Sequence, residues 1–164
     1  MSLRYPSQLR MSLLDRLIDE APDLPLDPPR SRSEQVAAIR ASFRRDLEAI
    51  LNTRRRCLTP PASLRALQSA LPYYGVPDFI GMSLATQQER LALVRSLEET
   101  IRTFEPRFQS VELSLVQERD QVDRVLRIRI EAVTRLEQMG GPIVFETTLD
   151  PATRTFSVTE RDDV

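Results

Sequence analysis

The chain has 164 residues, 41% of them hydrophobic and 29% charged, and its 23 positive charges are all arginine, set against 24 acids for a net charge of -1. With no histidine and no lysine, an imidazole general base, a Ser-His-Asp triad, a histidine metal site, a Schiff base and a phosphate-loop lysine are all excluded. One cysteine, Cys57, makes neither an internal disulfide nor a zinc cage and fits a reducing compartment. What remains is carboxylate chemistry or a binding and assembly role.

In chain order, Leu13, Leu14, Leu17 and Ile18 form an apolar stripe that predicts a short helix over residues 12–20, with Ser12 as its cap and Asp15 three positions on. Four prolines between positions 22 and 29 then predict an extended linker. Residues 1–30 therefore read as a helical arm on a Pro-rich tether, and residues 31–164 as one domain. The arm's stripe has to rest on this domain's core or on a partner, with Leu13 and Leu17 as its contact residues. A helix over 33–52 follows from Val36, Ile39, Phe43, Leu47 and Ile50, with Ser33 as the candidate cap. Its end carries Arg54, Arg55 and Arg56, cations suited to the negative end of the helix dipole.

Residues 63–71 predict one or two further helical turns. The segment 72–81 carries Tyr73, Tyr74, Phe79 and Ile80, so it should be packed down rather than solvated. Thr86 to Glu89 is a capping box. It opens a helix with a stripe of Leu91, Val94, Leu97, Ile101 and Phe104, stopped by Pro106. Beyond Pro106 the apolar period shortens to two. Val111–Leu115, Leu126–Ala132, Ile143–Leu149 and residues 153–159 read as strands, with a turn at residues 150–153. Helices first and strands second predict an α+β fold, with N-terminal helices on one face of a C-terminal, mainly antiparallel sheet.

Glu105-Pro106-Arg107 is the most informative tripeptide. An acid at a helix C-terminus is unfavourable by roughly 0.3–1 kcal/mol, so Glu105 needs a compensating partner. If residues 105–107 are extended, Glu105 and Arg107 project to one side and offer a carboxylate and a guanidinium to a partner; the other reading is an internal ion pair. The arginines near position 55 suit an acidic protein surface or stand as solvated helix surface. A net charge of -1 and the lack of interleaved aromatics argue against nucleic acid. Glycoside hydrolysis needs two acids about 5–9.5 Å apart in a cleft. Glu98 and Glu99 read as exposed helix acids, and only nine aromatics are available to line a sugar site. Cys57 lacks a base partner.

The chain resembles the TssE family of type VI secretion baseplate proteins, itself similar to a wedge protein of contractile phage tails. The resemblance rests on five elements in order: Ser12-Leu13-Leu14-Asp15-Arg16-Leu17, Arg45-Asp46-Leu47-Glu48 running to Arg54-Arg55, Tyr74-Gly75-Val76-Pro77-Asp78-Phe79, Phe104-Glu105-Pro106-Arg107, and the hairpin from Val144-Phe145-Glu146 to Phe156-Ser157-Val158. It implies a non-enzymatic baseplate subunit without cofactors that joins wedge proteins TssF and TssG, with TssK, and helps start the TssB–TssC sheath. It also implies a cytoplasmic location at the inner face of the inner membrane, with no insertion into it. The implied partner contacts are Glu105, Pro106 and Arg107, then Arg54, Arg55, Leu13, Leu17 and Phe156. The family's frequent lysozyme label keeps a peptidoglycan hydrolase as the alternative.

Overall fold

The computed structural model describes residues 12–18, 22–23, 30–56, 61, 63–79, 84, 86–116, 125–136, 139, 141–150 and 152–161. Cys57, Ile80 and most of the proline linker lie outside them. Two compact units divide the chain, residues 1–43 and residues 44–164, with the boundary inside the second helix.

In the first unit, α1 (Leu13–Leu17) is capped by Ser12, whose hydroxyl accepts the Asp15 N–H at 3.2 Å. The Asp15 carboxylate also accepts the Ser42 hydroxyl at 2.8 Å, which ties α1 to the second helix. The stripe expected on α1 is present but unburied: Leu13 is 77% and Leu17 81% exposed. The second helix, α2 (Arg32–Asn52), starts one residue earlier than expected. Ser31 rather than Ser33 closes its first turn, accepting the Glu34 N–H at 3.3 Å while Glu34 Oε2 accepts the Ser31 N–H at 2.6 Å. Ser31, not Ser33, stands three positions before Glu34, the spacing that the reciprocal box needs.

The second unit is α+β. The C-terminal half of α2 leads into two short 3₁₀ turns, Arg65–Ser69 and Leu71–Tyr73, and then α3 (Gln87–Phe104), which opens on the expected Thr86–Glu89 capping box. Strands β1 (Phe108–Leu115), β2 (Leu126–Thr134), β3 (Ile143–Leu149) and β4 (Phe156–Arg161) follow. They pair antiparallel in the order β1-β2-β3-β4, so β1 and β4 are the edges. Helix α3 packs against β1. Its buried stripe is Leu93, Val94, Leu97 and Ile101, and Leu91 faces solvent instead. A period of 3.6 places 93, 94, 97 and 101 closer to one line than 91. Ile128, Ile130, Phe145, Phe156 and Val158 supply the sheet's side of the core.

The aromatic loop is packed down, as its rings required, by backbone pairing. Val76 N–H donates to Thr53 O at 2.9 Å and Arg55 N–H to Val76 O at 2.8 Å, a short parallel bridge at the end of α2. Gly75 makes the approach possible. Its φ is +98°, and a Cβ there would lie 2.3 Å from Thr53 O. Both the left-handed backbone and the contact exclude a side chain. Gly75→Ala is therefore expected to destabilise the chain by about 2–4 kcal/mol, read as a lower urea midpoint with an unchanged slope; a wild-type midpoint would contradict the close approach.

Candidate functional site

The site grows from the way α3 ends. Pro106 bars helical geometry at Glu105, which takes φ −115° and ψ 79° while its N–H still closes on Ile101 O at 2.8 Å. Phe108 N–H then returns to Glu105 O at 3.2 Å. Residues 105–107 thus form a tight turn rather than the extended tripeptide expected from sequence. The turn still brings Glu105 and Arg107 together, because the chain folds back on itself over three residues.

Their contact is a side-on fork. Arg107 Nε donates to Glu105 Oε1 at 2.7 Å and Nη2 to Oε2 at 2.5 Å, while the Arg107 backbone N–H reaches Oε1 at 3.2 Å. Nη2 also meets Asp46 Oδ2 at 2.5 Å, and the second Asp46 oxygen faces Arg45 Nη2 at 3.2 Å. Two cations and two anions therefore alternate from Arg45 through Asp46 and Arg107 to Glu105. The Glu105 side chain is only 4% exposed and that of Arg107 28%. Burial lowers the proton affinity of Arg107, but hydrogen bonds and charge from Glu105 and then Asp46 outweigh it and hold the guanidinium above its ordinary range. The network ties α2 to the α3–β1 joint, so the tripeptide makes the internal ion pair. Asp46 is the member that residue-by-residue reading missed, although it lies within one of the segments that carry the resemblance.

Tyr74 stands beside this network, its ring edge-on to Phe104 at 5.4 Å. Burial first, then the Asp46 and Glu105 carboxylates, push its phenol pKa up.

Arg54 is spent inside the fold. Its guanidinium lies 4.2 Å from the centre of the Phe79 ring, with Nη1 on Leu51 O at 3.1 Å and Nη2 on Arg154 O at 2.7 Å. Burial lowers its pKa, opposed by Asp78. It satisfies a last-turn carbonyl of α2 and pins the β3–β4 turn, where Arg154 adopts φ 57°. Arg55 stacks 5.2 Å from the Tyr73 ring, and Arg56 is exposed.

Phe156, an expected partner contact, is 2% exposed and packs edge-on to Phe79 at 5.7 Å. Its side chain belongs to the core, so a partner at this position can meet only strand backbone. That backbone is engaged as well: Asn52 Nδ2 donates to Phe156 O at 2.9 Å and Phe156 N–H donates to Asn52 Oδ1 at 2.8 Å. Glu98, read from sequence as an ordinary exposed acid, is half-buried and accepts the Leu113 N–H at 3.3 Å. Among the described residues no group of acids and cysteines could hold a metal ion.

A family model described as baseplate wedge protein gp25 matches residues 37–139. The chain belongs to the gp25 baseplate wedge family. It is accordingly a structural baseplate component, and the matched segment contains the whole network from Arg45 to Arg107 together with β1 and β2. A solved structure titled "The baseplate complex from the type VI secretion system" holds a chain of 16% identity, matched over 79% of this chain and 98% of that one with a TM-score of 0.48. No curated protein matches.

In this wedge protein, removing Arg107 leaves the nearly buried Glu105 carboxylate without its fork. Arg107→Ala should cost about 2–4 kcal/mol, below the figure for a fully buried pair because Arg107 is partly solvated. Glu105→Ala together with Arg107→Ala should cost less than the sum of the two single changes in a thermal-unfolding cycle. Additive losses would contradict the network. A raised Tyr74 pKa means that unfolding makes the phenol more acidic. The stability it confers is full below about pH 10, the ordinary tyrosine value, and is lost as pH climbs through the folded value. Tyr74→Phe should flatten the alkaline fall measured by denaturant titration.

Proposed function

We propose that the chain is a TssE-like subunit of a type VI secretion baseplate, joining TssF, TssG and TssK in the wedge core and starting growth of the TssB–TssC sheath. Membership of the gp25 family and the five ordered segments of resemblance support this reading. The observation that carries it is the outward side of β4, where among the described residues no hydrogen bond reaches the backbone groups of Val158. Asp150 N–H pairs with Thr155 O across the hairpin at 3.0 Å. Residues 155, 157, 159 and 161 therefore bond inward to β3, and Phe156, Val158 and Glu160 turn their backbone groups outward. Asn52 occupies the first of these positions, which leaves strand addition to begin at Val158.

The other contacts follow from exposure. Leu13 and Leu17 on the tethered arm dock on a neighbouring subunit, and Arg55 and Arg56 face an acidic protein surface rather than nucleic acid. Glu105, being buried, acts on a partner through the Arg107 surface that it positions. The wedge sits on the cytoplasmic side, at the inner face of the inner membrane; no described helix is long and apolar enough to cross a membrane. We infer no enzymatic role. Glu98 is held by Arg102 and the Leu113 N–H, and Glu105 by Arg107, so both carboxylates are engaged inside the fold. A peptidoglycan turbidity assay should show no clearing; clearing abolished by substitution of Glu98, Glu99 or Glu105 would favour the hydrolase.

Val158→Pro removes an outward N–H and spares the bonds to β3. In co-expression pull-downs it should retain the wedge proteins and lose the sheath proteins, with an unchanged circular dichroism spectrum. Wild-type recovery of sheath protein would refute the β4 docking.

A further inference from the structure

The two edges of the sheet are finished differently. On β1 the bonds to β2 fall at Glu112, Ser114 and Val116, whose N–H meets Arg127 O at 3.0 Å. Val111, Leu113 and Leu115 therefore turn their backbone groups outward, where an incoming strand would bond. Two of these groups are already taken by side chains of α3. Glu98 Oε2 accepts the Leu113 N–H at 3.3 Å, and Arg102 Nη2 donates to Val111 O at 3.4 Å. The same Nη2 joins Glu98 Oε1 at 2.6 Å, one turn away on the helix. On β4, by contrast, Asn52 covers only Phe156, and among the described residues no hydrogen bond reaches the outward groups of Val158.

We propose that Glu98 and Arg102 form a clasp that closes the β1 edge to strand addition, and that the strand it chiefly excludes is β4 of a second copy of this chain. The two edges are compatible. Val111 and Leu113 on β1, and Phe156 and Val158 on β4, lie on the apolar face of the same sheet, so β4 laid on β1 would continue both the ladder and the apolar row. Such a head-to-tail contact is heterologous and would propagate into rings or filaments. With the clasp shut, the sheet can grow in one direction only. This holds whatever partner takes the β4 edge.

The test uses the full chain with Glu98→Ala and Arg102→Ala, separately and together. Hydrogen exchange at the Leu113 amide should quicken about tenfold or more in Glu98→Ala, with the central amides of β2 and β3 unchanged. Light scattering across a concentration series should give a constant monomer mass for the wild type and a rising mass for the double variant. Adding Leu113→Pro removes the outward N–H while the bonds to β2 remain, and should return the monomer mass. A folded double variant that stays monomeric at every concentration overturns the proposal, as does growth that survives Leu113→Pro. If the double variant fails to fold, Arg102→Ala carries the same reading, because its side chain is mostly exposed. A wild-type mass across the series in that variant, at concentrations where any opened edge would associate, then overturns the clasp.

Discussion

A carboxylate at the end of a helix faces the negative pole of the backbone dipole, and Glu105 does so with almost no access to water. Nothing in helix termination asks for that residue. It is tolerable only because Arg107 folds back to fork it and because Asp46 supplies a second anion to the same guanidinium. The joint between α3 and β1 is thereby fixed to α2 by charge. Any loss of register at this joint would carry β1 with it, and with β1 the pairing of the whole sheet.

What the joint secures is a sheet whose rims are both finished by side chains from helices. Asn52, the last residue of α2, caps the first outward position of β4, and Glu98 and Arg102 of α3 cap two positions of β1. The placement of the helices therefore decides how much of each rim stays open. A turn of α3 out of place would leave Val111 and Leu113 unpaired, so the ion network and the edge chemistry are coupled through one helix. In an assembly protein this matters more than added stability, since an unprotected rim is a general template for pairing.

Most of the fold was legible in the sequence because it depends on local signals. The capping box at Thr86, the stop at Pro106 and the change of period beyond it locate α3 and the strands, and the observed elements match them within a few residues. The contacts that were not legible share one cause. Phe156 and Arg54 were expected at partner contacts and Glu98 as an exposed helix acid, and the groups they meet inside the fold, Phe79, Arg154 and Leu113, belong to other elements. Asp46 was missed for the same reason: it stands 61 positions from the guanidinium it meets. Periodicity reports which face is apolar, and it is silent on which polar atom reaches across to a particular backbone group. The Glu105–Arg107 contact was legible because it is local, although the turn that produces it was not.

The exclusive use of arginine as the basic residue gains a structural meaning from these contacts. Arg107 grips one carboxylate with two nitrogens and a second with one of them, which an ammonium point charge cannot do in a fixed plane. Arg54 lies over the Phe79 ring while bonding carbonyls from two separate segments, and Arg102 spans a carboxylate and a strand carbonyl. In each case a planar, permanently charged fork joins groups from separate segments of the chain. A lysine at any of these three positions would keep the charge and lose the geometry, and in this fold it is the geometry that holds helix ends and strand edges in register.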